Sequence, residues 1–189
     1  MVAHASDIGG RLGPLEPPYA SEVAGTLERL MGGAGAEPLL LFRTIAHHPV
    51  LLDKLRTTGT YLLNFGTVDP LEREIVILRT CARCGCEYEW GVHVAIFASA
   101  VGLTEEQIAA SVGDDRTPWT DRHRTLVDLC DQLHDSAHIS DELWARLAEG
   151  WSPEQIVELV TLAGQYHTVS FTANALGVGL EGFAARFPS

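Results

Sequence analysis

Within one stretch of the chain, a carboxylate, a thiol, a second carboxylate and an imidazole recur at helical intervals: Glu74, Cys86, Glu89 and His93. On a helix turning about 100° per residue, Cys86, Glu89 and His93 fall on one stripe about 60° wide. The stripe runs on into Ile96, Phe97 and Ala100, which read as core residues, so it is expected to point inward. A buried carboxylate and imidazole need partners or a ligand, and side chains at i and i+4 supply each other. Glu74 shares a face of the preceding helix with Ile77, Leu78 and Cys81. A break at Gly85 would fold that face back onto the stripe and put both carboxylates, the thiol and the imidazole in one pocket.

Such a pocket does acid–base chemistry. Burial raises a carboxylate's pKa, so Glu (ordinarily about 4.3) and His (about 6.5) are both expected to titrate near neutrality. One then serves as general acid and the other as general base. A thiol beside the imidazole would be drawn toward thiolate. Plainer readings stand beside this one: a Glu-x-x-x-His pair also occurs as a structural pair, and a buried cysteine as inert packing.

The elements that must position these groups are helical. Asp69-Pro70-Leu71-Glu72 is a helix start with an acidic cap and proline at the first position. Thr104-Glu105-Glu106-Gln107 and Ser152-Pro153-Glu154-Gln155 are capping boxes, and Ser140-Asp141-Glu142 opens another helix. The 3.6-residue period predicts helices near 21–32, 38–47, 50–64, 70–83, 86–101, 104–112, 120–136, 141–149 and 153–176. Gly85, Gly102 and Gly177 fit helix ends. Residues 1–18 are Gly- and Pro-rich without periodicity and read as an extended arm, laid over this chain or a neighbouring subunit. Residues 19–189 read as a single all-α domain of about nine helices.

The chain has 189 residues, with 25 acidic and 13 basic side chains and a net charge of −12. That balance argues against nucleic acid, which selects clustered Lys and Arg, and against an anionic membrane surface. No stretch reaches the roughly 20 apolar residues of a membrane span, and residues 1–10 lack a secretory pattern. Three of the four cysteines, Cys81, Cys84 and Cys86, sit too close together for a secreted disulfide framework, so a cytoplasmic protein is expected. A zinc site from Cys81, Cys84, Cys86 and His93 lacks a second ligand pair at the usual spacing, and no metal is expected. Cys81-Ala82-Arg83-Cys84 lacks the strand-to-helix setting of a redox motif. Trp90 is expected in the pocket wall, and Tyr166 and His167 on the last long helix are expected to line the same pocket. Tyr88 faces away and packs. His134 and His138 form an i, i+4 pair on a solvated face.

Over residues 69–108 the chain resembles the carboxymuconolactone decarboxylase family, which includes the alkyl hydroperoxidase D branch. A looser likeness runs from about Leu39 and takes in Tyr166-His167 and Asn174-Ala175-Leu176-Gly177. The hydroperoxidase branch carries a Glu, a Cys twelve residues on, a second Cys three later and a His four after that. Glu74, Cys86, Glu89 and His93 keep that register, with Glu89 in place of the second cysteine. The resemblance therefore implies the alkyl hydroperoxidase D-like all-α fold and trimeric or hexameric assembly, with a dimer also open. It does not imply that branch's two-cysteine cycle. The decarboxylase branch carries a Glu four residues before the His, as Glu89 and His93 do here.

Three functions follow. The first is a cofactor-free, decarboxylase-like enzyme, a lyase or isomerase, acting on a small organic acid, lactone or enone. In it Glu89 and His93 share the proton transfer and Glu74 orients the imidazole. The second is a thiol-dependent hydroperoxidase (a peroxiredoxin-like activity) using Cys86. The third is a non-catalytic binding protein on the same fold.

Overall fold

The computed structural model describes residues 11–31 and 37–188. Among them are nine helices: α1 (Ser21–Leu30), α2 (Leu40–Ile45), α3 (Pro49–Asn64), α4 (Pro70–Arg83), α5, α6 (Glu105–Ala110), α7 (Asp121–Ser136), α8 (Asp141–Gly150) and α9 (Pro153–Leu176). Helix α5 is composite: an α-helical segment (Glu87–His93), a π-helical turn (Val94–Ala98) and a last α-helical turn (Ser99–Val101). No strand occurs among the described residues, and no described helix is long and apolar enough to cross a membrane.

The helix starts are those the caps predict. The Asp69 carboxylate accepts from the Leu71 amide, Thr104 and Gln107 cap each other, as do Ser152 and Gln155, and Ser140 accepts from Leu143. Helix α2 differs: it begins at Leu40 rather than near residue 38. The Leu40 amide donates to the Glu181 carboxylate at 2.6 Å and the Leu41 amide to the Tyr88 hydroxyl at 3.0 Å. Groups distant in sequence thus replace a local cap.

Helix α4 is the central element, packed against α5, α7 and α9. It is buried continuously from Glu74 to Cys81, and each of the three charges buried on it, Glu72, Glu74 and Arg79, is paired. Glu72 takes a hydrogen bond from Trp151 Nε1 at 2.8 Å and an ion pair from Arg122. Arg79 grips Asp131 through two bonds of 2.6 and 2.9 Å and donates to the carbonyls of Ser111 and Gly113. Glu74 is the third, and its partner lies in the candidate site.

At the end of α4, Gly85 takes φ +60°, a conformation that favours glycine. The Gly85 amide then bonds the Ala82 carbonyl and the Cys86 amide the Cys81 carbonyl, each at 2.9 Å. This double bond pattern stops the helix and reverses the chain, so α5 starts back along α4. The C-terminal tail straps α5 in place. The Ala185 amide donates to the Gly91 carbonyl at 3.1 Å and the Phe187 amide to Glu87 at 2.9 Å. Gly91 has no side chain for a reason: a Cβ there would strike the Ala185 carbonyl.

Residues 1–10 of the expected arm lie outside the described residues. Residues 11–18 run along their own chain, with the Arg11 and Leu12 amides on the Leu176 carbonyl and Leu15 paired to the Arg43 backbone.

Candidate active site

The reversal at Gly85 puts Glu74 of α4 against His93 of α5. Glu74 Oε2 accepts from His93 Nδ1 at 2.7 Å, and both residues are buried. The other Glu74 oxygen accepts from Arg73 Nε at 3.1 Å. The second imidazole nitrogen, Nε2, lies 3.0 Å from the Tyr166 hydroxyl of α9 and 3.4 Å from Glu89 Oε1. His93 therefore sits between two carboxylates and a phenol, with the Phe97 ring 4.9 Å away, centre to centre.

These groups form the polar end of a cavity of about 370 Å³. Leu41, Leu52, Val92, Phe97 and Val169 supply apolar walls, while Glu89, His93 and Tyr166 face the interior. Arg56 of α3 also lines it, with its guanidinium held by Asp53 at 3.0 and 3.2 Å. A largely apolar cleft with a few convergent polar groups suits a small organic molecule.

Burial alone would lower the His93 pKa, but the charge of Glu74 and the hydrogen bonds of Glu74 and Glu89 outweigh it and raise the value to about 9. The imidazole is thus a protonated imidazolium at neutral pH, which corrects the expectation that it titrates there. Burial and the two carboxylates push the Tyr166 phenol well above its ordinary range, so it stays neutral. With Nε2–H directed at the Tyr166 oxygen, the phenol O–H is the donor left for developing negative charge, and the imidazolium charge stands behind it.

The raised His93 pKa carries a stability prediction. Its ordinary value is 6.5 and its folded value about 9, so the native state holds a proton that the unfolded chain releases between those values. That stabilisation is complete below about pH 6.5 and is lost as pH rises through about 9. The thermal midpoint is expected to fall across this window. Glu74→Gln should flatten the slope, and an unchanged slope in that variant would contradict the coupling.

The other residues singled out in the sequence lie elsewhere. Cys86 is fully buried at the N-cap of α5 and does not line the cavity. Burial pushes its thiol up to about 11, against the pull of the Glu89 amide and the Ser170 hydroxyl. The expected thiolate is therefore corrected to a protonated thiol. Trp90 is packed into the core, its Nε1 donating to Ser111 Oγ at 2.9 Å, and does not line the cavity. His167 follows Tyr166 by one residue and so points about 100° away; it meets His134 at 3.2 Å instead. Tyr88 packs as expected, with its hydroxyl on Glu181 at 2.7 Å. Beyond His93 the stripe does not continue inward: Ile96 is 48% exposed and Ala100 is exposed. The π-helical turn at Val94–Ala98 shifts the phase of everything after it. Ile96 and Phe97 consequently line the cavity rather than the core.

Fold and site together define an all-helical protein with a buried Glu–His–Tyr array at the end of an apolar cavity. Residues 49–117 match the Carboxymuconolactone decarboxylase family, a span that includes Glu74, Cys86, Glu89 and His93. A peroxidase-related protein from Silicibacter sp. TM1040 has a similar fold, with TM-score 0.78, 18% identity and 93% of each chain covered. The alkylhydroperoxidase AhpD core protein from Ralstonia eutropha JMP134 gives TM-score 0.72 at 18% identity, covering 90% of this chain and 93% of that one. The debrominase Bmp8, solved as a cysteine-to-alanine variant with 2,3,4-tribromopyrrole, gives TM-score 0.72 at 15% identity, covering 90% of this chain and 91% of that one. No curated protein matches the chain in sequence. Residues 49–117 are thus similar in sequence to that family, and the described fold is similar to those of these solved structures.

Proposed function

We propose that the protein is an enzyme of proton transfer, acting next to a carbonyl on a small organic acid, lactone or enone. The observation that carries this is the His93 imidazolium, clamped by Glu74 at 2.7 Å and presented with Glu89 and Tyr166 to an apolar cavity. Glu89 is the base, taking a proton from the carbon next to the substrate carbonyl. The electron pair left behind moves to the carbonyl oxygen, where the Tyr166 hydroxyl, backed by the positive charge of the His93 imidazolium, stabilises it. Return of the proton to another carbon completes an isomerisation. In a decarboxylation the carbon–carbon bond breaks, CO₂ leaves, and the enolate forms on the same hydroxyl. The proton that carbon then gains comes from His93 through Glu89 and is replaced from solvent. Arg56 on the cavity wall supports an anionic substrate, since its guanidinium offers donors to a carboxylate. Every group this scheme needs is a side chain of the protein, so the reading includes no cofactor. It also includes a chain that assembles with copies of itself, which the exposed apolar side chains Trp144, Val157 and Val160 support.

Peroxide chemistry at Cys86 is the competing scheme, and it requires a thiolate. With the thiol buried and pushed up to about 11, hydroperoxide consumption in the presence of a thiol reductant is expected to be negligible and equal in wild type and Cys86→Ala. Turnover that disappears with Cys86→Ala would replace the proton-transfer reading with a one-cysteine peroxidase.

A further inference from the structure

On the side of α9 turned away from the cavity, three potential metal ligands converge from three helices. Cys84 caps the end of α4, His134 is in the last turn of α7, and His167 is midway along α9. Cys84 Sγ lies 3.8 Å from His134 Nδ1, which lies 3.2 Å from His167 Nε2. The three atoms all lie within 4.8 Å of one another. Ligands on a tetrahedral zinc ion, at Zn–N and Zn–S lengths of about 2.1 and 2.3 Å, stand roughly 3.4 Å apart for two nitrogens and roughly 3.6 Å for nitrogen and sulfur. The two short separations bracket those values.

The surroundings prepare the ligands. His167 Nδ1 donates to the Ala163 carbonyl at 2.8 Å. That bond fixes the tautomer and leaves a lone pair on Nε2, the arrangement that carbonyl groups impose on metal-bound histidines. The Cys84 carbonyl accepts from Asn174 Nδ2 at 2.9 Å, tying the cysteine's turn to α9. All three side chains are half-buried, so an ion has a path from solvent.

We propose that Cys84, His134 and His167 form a binding site for a divalent transition-metal ion of the zinc class, with the fourth position open to water or an added ligand. Binding places the His134 proton on Nε2 and releases the Cys84 proton to solvent, one proton per ion bound. The site is independent of the proton-transfer reading, because none of its residues lines the cavity.

The test is titration of the full, reduced chain with Co²⁺, followed by displacement with Zn²⁺. The expected result is one equivalent bound per chain, with tetrahedral visible bands and a sulfur-to-cobalt band in the near ultraviolet. Cys84→Ser is expected to remove the near-ultraviolet band, and Cys86→Ser to leave it. His134→Ala and His167→Ala should each weaken Zn²⁺ binding at least tenfold in equilibrium dialysis, with an unchanged helical circular dichroism spectrum. Absence of saturable Co²⁺ and Zn²⁺ binding by the wild type overturns the proposal. So does a near-ultraviolet band that survives Cys84→Ser.

Discussion

Glu89→Gln and His93→Ala are each expected to lower turnover of a small unsaturated acid or lactone by roughly 10²–10⁴-fold. The glutamine keeps the volume of Glu89 and removes only its ability to accept a proton. The alanine removes the donor at Nε2 and the positive charge that the proton-transfer reading assigns to stabilising an enolate. It also takes from buried Glu74 its 2.7 Å partner, leaving Arg73 as the remaining one. For that reason His93→Gln belongs beside it, as a variant that fills the space and retains a donor. Folding is checked by circular dichroism and activity by initial rates on the substrate wild type turns over. Full activity in Glu89→Gln would remove Glu89 from the reaction.

A second large effect is expected far from the cavity. Arg79 is 1% exposed, lies wholly within the packing of α4, and meets Asp131 of α7 through two bonds. Asp131 also accepts from Arg116 at 2.7 Å. Removing one member of a buried ion pair leaves the other desolvated and uncompensated, at a cost of about 3–5 kcal/mol. Asp131→Ala should lower the stability measured by urea denaturation by that amount, since the Ser111 and Gly113 carbonyls that hold Arg79 carry no charge and its remaining carboxylate partner, Asp114 at 3.8 Å, is solvent-exposed. A loss below about 1 kcal/mol would mean that the core relaxes to admit water. Glu72 and Arg79 show that buried charge on α4 also serves structure; Glu74 differs in that its partner opens onto a cavity.

Much of this arrangement is legible in the chain. The caps at Asp69, Thr104, Ser140 and Ser152, with the glycine at position 85, are local signals whose physics involves a few neighbouring residues, and they place the helices well. The Glu74–His93 pairing follows from two helix faces and one turn, while Tyr166 is reached only as a residue of the last long helix expected to line the same pocket, beside His167, which turns away from it. What escaped the sequence depends on distant segments. Glu181 and Tyr88 set the start of α2 from across the molecule. The π-helical turn redirects Ile96 and Phe97 without a marker in composition. Trp90 turns to Ser111 because the core offers its indole N–H an acceptor there. The trio Cys84, His134 and His167 has no common spacing, since each comes from a different helix. Arg56 reads as an ordinary surface residue of α3 until the cavity is seen.

The proposed chemistry requires His93 to be an imidazolium at neutral pH, held so by Glu74 and Glu89. Titration of its ring nitrogens by ¹⁵N NMR measures this directly. In the wild type both nitrogens should remain protonated until about pH 9, and in Glu74→Gln the midpoint should drop toward the ordinary value of about 6.5. A wild-type midpoint already near 6.5, unchanged by Glu74→Gln, would contradict the account, because the site would then hold a neutral imidazole with no charge to offer an enolate.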